Sequence, residues 1–144
     1  MIYAIKNIND PCLIEHSGWA LSNMCRGQPL PNYEIIKDAI PVLADLVARG
    51  LIKDKSIMAD CCWGISYNTN SDRERIQVLI EMDLPHIFVR NLREDYYGLL
   101  VPTIRIVGHI TMGDHRQTDT IMKEPSFFDN IYALLLHEKR IVRA

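Results

Sequence analysis

The chain has no apolar run near the 18 residues that a membrane helix needs, and its first residues do not form an export signal. The expectation is a soluble chain that is not exported. It also lacks a glycine-rich phosphate loop and the strained Gly-x-Ser-x-Gly elbow of hydrolases. Charge of one sign is scarce: the formal net charge is −2 and no basic stripe occurs, so direct nucleic-acid binding is not expected. Lys139, Arg140 and Arg143 form the one basic cluster, which a solvated helix end accounts for. Cysteine is limited to Cys12, Cys25, Cys61 and Cys62. Without an export signal these read as free and mostly buried thiols.

Metal and nucleophile chemistry find no constellation. Cys12 and His16 share a helical face, but two ligands do not make a zinc site. His109, Asp114 and His115 lack metal-ligand spacing. Cys61 and Cys62 sit in a packing phrase with no base beside them. No catalytic residue, metal or cofactor is assigned, and the chain does not read as an enzyme.

What is present is a repeat. Trp19-Ala20-Leu21-Ser22-Asn23 returns 44 residues later as Trp63-Gly64-Ile65-Ser66-Tyr67, and 42 residues after that as Arg105-Ile106-Val107-Gly108-His109. Ile40-Pro41-Val42-Leu43 matches Leu84-Pro85-His86-Ile87 at a spacing of 44, and Ile131 follows Ile87 at the same interval. Two anchors with one period indicate stacked units of three helices each.

In the first full unit a short helix over Tyr33–Ala39 is capped by Asn32, and Pro41 opens a second that stops at Gly50. A third runs from about Lys55 to Asn68. In the next unit Ser71-Asp72-Arg73-Glu74 reads as a capping box, with Ile76, Leu79 and Ile80 toward the core. Pro85 opens its second helix, and Pro102 falls in the first turn of its third, which ends near Thr111. Leu99–Ile110 has strand propensity, which the repeat overrides. Met1–Asn9 reads as the tail of a second helix, and Asp10-Pro11 starts the helix that carries Trp19. At the other end Asp114–Met122 and Ser126–Leu136 read as first and second helices, with a third expected beyond Ala144. The units are a partial repeat over 1–27, repeats over 32–70 and 71–112, and a partial repeat over 113–144.

Trp19 and Asn23 are four apart on a helix and project from one face. Stacking lines such faces into a groove. An indole wall suits the stem and cationic head of Lys or Arg, and an Asn amide both donates to and accepts from an extended peptide backbone. A lone Trp-x-x-x-Asn would read as a core Trp beside an incidental Asn; repetition at a fixed period favours the groove. Asp60, one turn before Trp63, fits either a partner for a peptide lysine or a solvated helix face.

These phrases resemble the importin-alpha family. Trp19-Ala20-Leu21-Ser22-Asn23-Met24-Cys25-Arg26-Gly27 resembles its Trp-x-Leu-Ser-Asn-Leu-Cys-Arg phrase, and Asp60-Cys61-Cys62-Trp63-Gly64-Ile65-Ser66-Tyr67 its Asp-Ala-Cys-Trp-Ala-Ile-Ser-Tyr phrase. Arg75-Ile76-Gln77-Val78-Leu79-Ile80 and Pro102-Thr103-Ile104-Arg105-Ile106-Val107-Gly108-His109-Ile110 are similar to further family helices, and Gly113-Asp114 with Gln117-Thr118 continues the likeness. The resemblance implies an all-α, armadillo-repeat, right-handed superhelical solenoid of about three repeats. It implies a nuclear-import adaptor of cytoplasm and nucleus that binds proteins bearing lysine-rich nuclear-localisation signals in its concave groove. By that likeness Trp19 and Asn23 belong to the end of the major site. Asp60, Trp63, Tyr67 and Arg105 belong to the stretch between sites, and Gly113 and Thr118 to the edge of the minor site.

Three departures stand out: His109 replaces the ladder Asn, His115 a family acid, and His16 a usual Asn or Asp. The family's basic autoinhibitory segment, which also binds importin-beta, is not in this sequence, so importin-beta is not expected to bind this chain directly. An armadillo scaffold for other protein partners is the alternative.

Overall fold

The structure, a computed structural model, describes residues 10–27, 29, 31–50, 52–70 and 72–139. Its elements are helices: α1 Pro11–Cys25, α2 Tyr33–Ile36, α3 Ala39–Ala48, α4 Lys55–Thr69, α5 Arg73–Glu81, α6 Pro85–Asn91, α7 Tyr97–Thr111, α8 His115–Met122 and α9 Phe127–Leu135. No strand occurs among the described residues. The expected helix tail over Met1–Asn9 lies outside them.

The helices α1, α4 and α7, 15 residues each, stack side by side, with α4 in the middle. The terminal α1 buries one stripe, Ile14, Gly18, Leu21, Ser22 and Cys25. The central α4 is buried on two sides, which is why its fully enclosed residues include both Cys61 and Cys62 and both Ile65 and Ser66. Shorter helices cover the outer side, where Leu43, Leu79, Leu84 and Phe88 are fully enclosed.

Local chemistry sets the starts. Asp10 accepts from the N–H groups of Cys12 and Leu13 at 2.9 and 3.3 Å, with Pro11 at the first helical position. Asn32 caps α2 through the Glu34 N–H, and Asp54 caps α4 through the Ser56 N–H. Asp114 and Gln117 form a reciprocal capping box on α8. Gly50 ends α3 at φ +60°, a conformation that a Cβ disfavours.

Four boundaries differ from the sequence reading. The N-cap of α5 is Asp72, whose carboxylate accepts from the N–H groups of Glu74 and Arg75; Ser71 lies outside the described residues. In the preceding unit α2 ends at Ile36, a turn spans Lys37 and Asp38, and α3 begins at Ala39, with Pro41 still in the first turn. Pro102 lies inside α7, which begins at Tyr97; the ring removes only the bond to the Gly98 carbonyl, one turn from the helix start. Ser126 sits at φ 65° ahead of α9 rather than within it. The strand propensity of Leu99–Ile110 does give way to helix, because that segment packs along α4.

Side-chain hydrogen bonds repeat the period. Among the described residues, those linking distant parts of the chain all span 37 to 44 residues. Glu15 receives the Lys53 N–H, Lys55 reaches Glu94, Thr69 meets His109, and Gln117 reaches Arg73 and Gln77. Asn130 receives Arg93 and donates to the Val89 carbonyl. Each of these bonds joins one unit to the next, as in a quasi-one-dimensional stack.

Candidate peptide-binding groove

The exposed edges of α1 and α4 face a common surface. Trp19 is 52% exposed, and the Asn23 amide beside it donates to the Trp19 carbonyl at 2.9 Å, leaving its oxygen and one N–H open. Ser22, buried beneath them, donates to the same carbonyl at 2.8 Å. One unit on, Ser66 makes the matching bond to the Trp63 carbonyl at 2.9 Å. The serine of the repeated phrase thus anchors each helix from its inner side while the tryptophan is presented outward.

On α4, Trp63 and Tyr67 stack with ring centroids 5.6 Å apart and planes inclined by 22°. The Arg105 guanidinium of α7 lies over the Trp63 ring at 5.5 Å. A pocket of about 290 Å³ is lined by Ser22, Asn23, Arg26, Asp60, Trp63 and Tyr67. A neighbouring one of about 360 Å³ is lined by His16, Trp19, Ser56, Ile57 and Asp60. Asp60 belongs to both and joins them. Burial raises the Asp60 carboxyl above its ordinary pKa of 3.8, and the Arg26 charge partly offsets this.

The structure therefore brings Trp19, Asn23, Asp60, Trp63 and Tyr67 together, with Arg105 against Trp63. His109 sits apart. It is only 9% exposed, and its Nδ1 lies 3.1 Å from Thr69 Oγ1 in the seam between α4 and α7. Burial lowers its pKa, and the Arg105 charge adds to the effect. The imidazole is packed into that seam, whereas the Asn23 amide is exposed. Gly113 and Thr118 line neither pocket: Gly113 packs against Gln117, and the Thr118 hydroxyl donates to the Thr111 carbonyl at 3.2 Å. His16, exposed, turns its ring back to the Cys12 carbonyl at 2.7 Å. Sequence reasoning missed Arg26 as a lining residue, although its place three after Asn23 puts it one turn along the same face. Among the described residues no group of three or more metal-ligating side chains occurs, and no helix is long and apolar enough to cross a membrane.

No family model matches the chain. Curated proteins do. Importin subunit alpha-1a of Oryza sativa subsp. japonica is 34% identical over 110 residues, covering 76% of this chain and 20% of the relative. Importin subunit alpha-3 of Arabidopsis thaliana is 32% identical over 112 residues, covering 78% and 20%. Importin subunit alpha-B of Dictyostelium discoideum is 34% identical over 102 residues, covering 71% and 19%. The chain thus spans about a fifth of the length of the curated relatives it matches. Among solved structures, a designed armadillo repeat protein in complex with the peptide (KR)4 superposes with a TM-score of 0.78 at 18% identity, covering 98% of this chain and 57% of the other. A computationally designed armadillo repeat protein for modular peptide recognition gives 0.79 at 16%, covering 99% and 58%. The fold is an armadillo-repeat solenoid.

Proposed function

We propose, from the premise that this chain belongs to the importin-alpha family of armadillo-repeat proteins, that its groove binds an extended lysine-rich peptide of the nuclear-localisation type. The observation that carries the reading is Asp60, a carboxylate shared by two adjoining pockets and flanked by Trp19 on one side and Trp63 with Tyr67 on the other. A peptide lysine laid there meets an aromatic face along its stem and a carboxylate at its head. The free oxygen and N–H of Asn23 are available to the peptide backbone. In this reading Trp19, Asn23, Asp60, Trp63 and Tyr67 touch the peptide, Arg105 braces Trp63, and Gly113 and Thr118 lie further along its path. His109 positions α7 against α4. The chain acts in nuclear import, between cytoplasm and nucleus, as a carrier of proteins bearing such signals. The proposed repeats, 32–70 and 71–112 between partial repeats 1–27 and 113–144, are supported by the hydrogen bonds that span 37 to 44 residues.

A second reading has its own observation. Arg26 lines the pocket and Arg105 already covers the Trp63 ring, so the groove holds two cations where a basic peptide would lie. This favours an armadillo scaffold for partners that are not lysine-rich. Fluorescence-anisotropy titration with a lysine-rich peptide separates the two. Receptor function predicts binding that weakens with salt and falls roughly tenfold on Trp19→Ala or Trp63→Ala, an aromatic–cation loss of about 1–2 kcal/mol. No binding at low salt would leave the second reading standing in its place.

A further inference from the structure

A second cleft lies on the other side of α4, at the edge formed by the end of α3, the turn before α4, the helix α6 and the start of α7. It has a volume of about 320 Å³, and its lining includes Lys53, Lys55, Arg90 and Glu94 over an apolar floor that includes Ile87 and Leu99. It shares no residue with the groove pockets, to which α4 contributes Ser56, Ile57, Asp60, Trp63 and Tyr67. Lys55 and Met58, the α4 residues of this cleft, lie on the opposite side of the helix by the 3.6-residue period.

The charges do not cancel. Glu94 is the one carboxylate in the lining, and Lys55 takes it at 2.7 Å. Neither Lys53 nor Arg90 has a carboxylate partner within ion-pair distance among the described residues. In a chain of net charge −2, two spare cations over an apolar floor are a local departure. A neighbouring edge cleft, between α9 and the segment leading into α7, is lined by Asp95 and Asp129 beside the Glu94 that Lys55 holds, against one arginine, Arg93, which donates to Asn130 at 2.6 Å. The same kind of edge thus carries opposite charge at two places along the solenoid.

We infer that the cleft of Lys53 and Arg90 is a docking site for an acidic, partly apolar protein segment, whose carboxylates pair with those two cations while an aliphatic neighbour covers Ile87 and Leu99. The recognition is by charge at an exposed rim and by contact on a small apolar floor. It is therefore salt-sensitive and independent of the groove's aromatic residues.

The test is anisotropy titration of the folded chain with a fluorescein-labelled peptide of alternating glutamate and leucine, at low ionic strength and at about 0.1 M salt, where the Debye length is about 10 Å. Binding at low salt that weakens in salt is expected. The double reversal Lys53→Glu with Arg90→Glu should weaken it roughly tenfold, and Arg90→Gln alone about threefold, while Trp63→Ala leaves it unchanged. Circular-dichroism melting checks that each variant keeps its fold, and Arg90→Gln serves as the test if the double reversal does not fold. No binding by the unaltered chain at low salt, full affinity in the folded variants, or loss of binding on Trp63→Ala would each overturn the inference. That last outcome would move the acidic peptide to the groove, so the cleft and the groove are judged separately.

Discussion

The Gln117 side chain of α8 donates to the Arg73 carbonyl of α5, 44 residues earlier, at 2.9 Å. It also donates to Gln77 at 3.2 Å and accepts from its own N-cap N–H, so one buried amide closes a helix start and joins two units. Replacing it by Ala leaves the Arg73 carbonyl and the Asp114 N–H without this partner. Gln117→Ala is expected to destabilise the chain by about 1–3 kcal/mol, measured as a shift of the urea midpoint. A variant as stable as the parent would mean that water replaces the amide and that the tie does not hold the units together.

The burial of His109 between α4 and α7 makes stability depend on pH. Burial, then Arg105, holds the imidazole below its ordinary value of 6.5. The folded chain therefore binds fewer protons than the unfolded chain wherever pH lies between the lowered value and 6.5. Stability from this group is full above 6.5 and is lost as pH falls toward the lowered folded value. Urea unfolding at pH 7.5 and 5.5 should show the loss, and His109→Gln should reduce the difference between the two. An unchanged pH dependence in that variant would place the titration elsewhere.

The period of 44 was legible because Trp19 and Trp63, and Ile40 and Leu84, are unlike their neighbours and recur in register. A third helix in each unit followed from that, including the one through Leu99–Ile110 that propensity alone would have made a strand. Tertiary context decides there: Thr103, Ile106 and Ile110 are fully enclosed in α7. The start of α7 was not legible, since a proline in the second turn of a helix reads equally well as one in the first. The outward pair Trp19 and Asn23 follows from spacing within one helix. The inward turn of His109 does not, because it depends on Thr69, a residue 40 positions away across a helix seam. Ladder position alone does not show that His109 packs beside Thr69.

Thiol reactivity tests the packing of α1 against α4. Burial raises the Cys25 and Cys61 thiols and pushes Cys62 up to about 12, and all three are buried, whereas Cys12 is exposed. With Ellman's reagent at pH 8 one thiol should react at once in the native chain, and all four in denaturant. Fast release of a second native equivalent would mean that the α1–α4 seam opens readily.

Gly64 and Gly108 make a matched pair with opposite expectations. Both lie inside long helices, where glycine costs up to about 1 kcal/mol relative to alanine. At Gly64 a Cβ would come within 2.8 Å of the Leu43 side chain and within 3.1 Å of the Ser22 backbone. A side chain can swing away, but the backbone of α1 cannot, so α1 and α4 must part. Gly64→Ala should therefore destabilise by about 1–3 kcal/mol despite its better helix propensity. It should also weaken peptide binding, because Ser22, Asn23 and Tyr67 line one pocket across that seam. At Gly108 a Cβ would meet nothing within 4 Å. Gly108→Ala should stabilise by about 0.5–1 kcal/mol through propensity alone and leave peptide affinity unchanged. Thermal melts of the two variants with one peptide titration each distinguish the cases. Equal shifts of the same sign would show that the helices α1 and α4 are not held at the close approach that Gly64 permits.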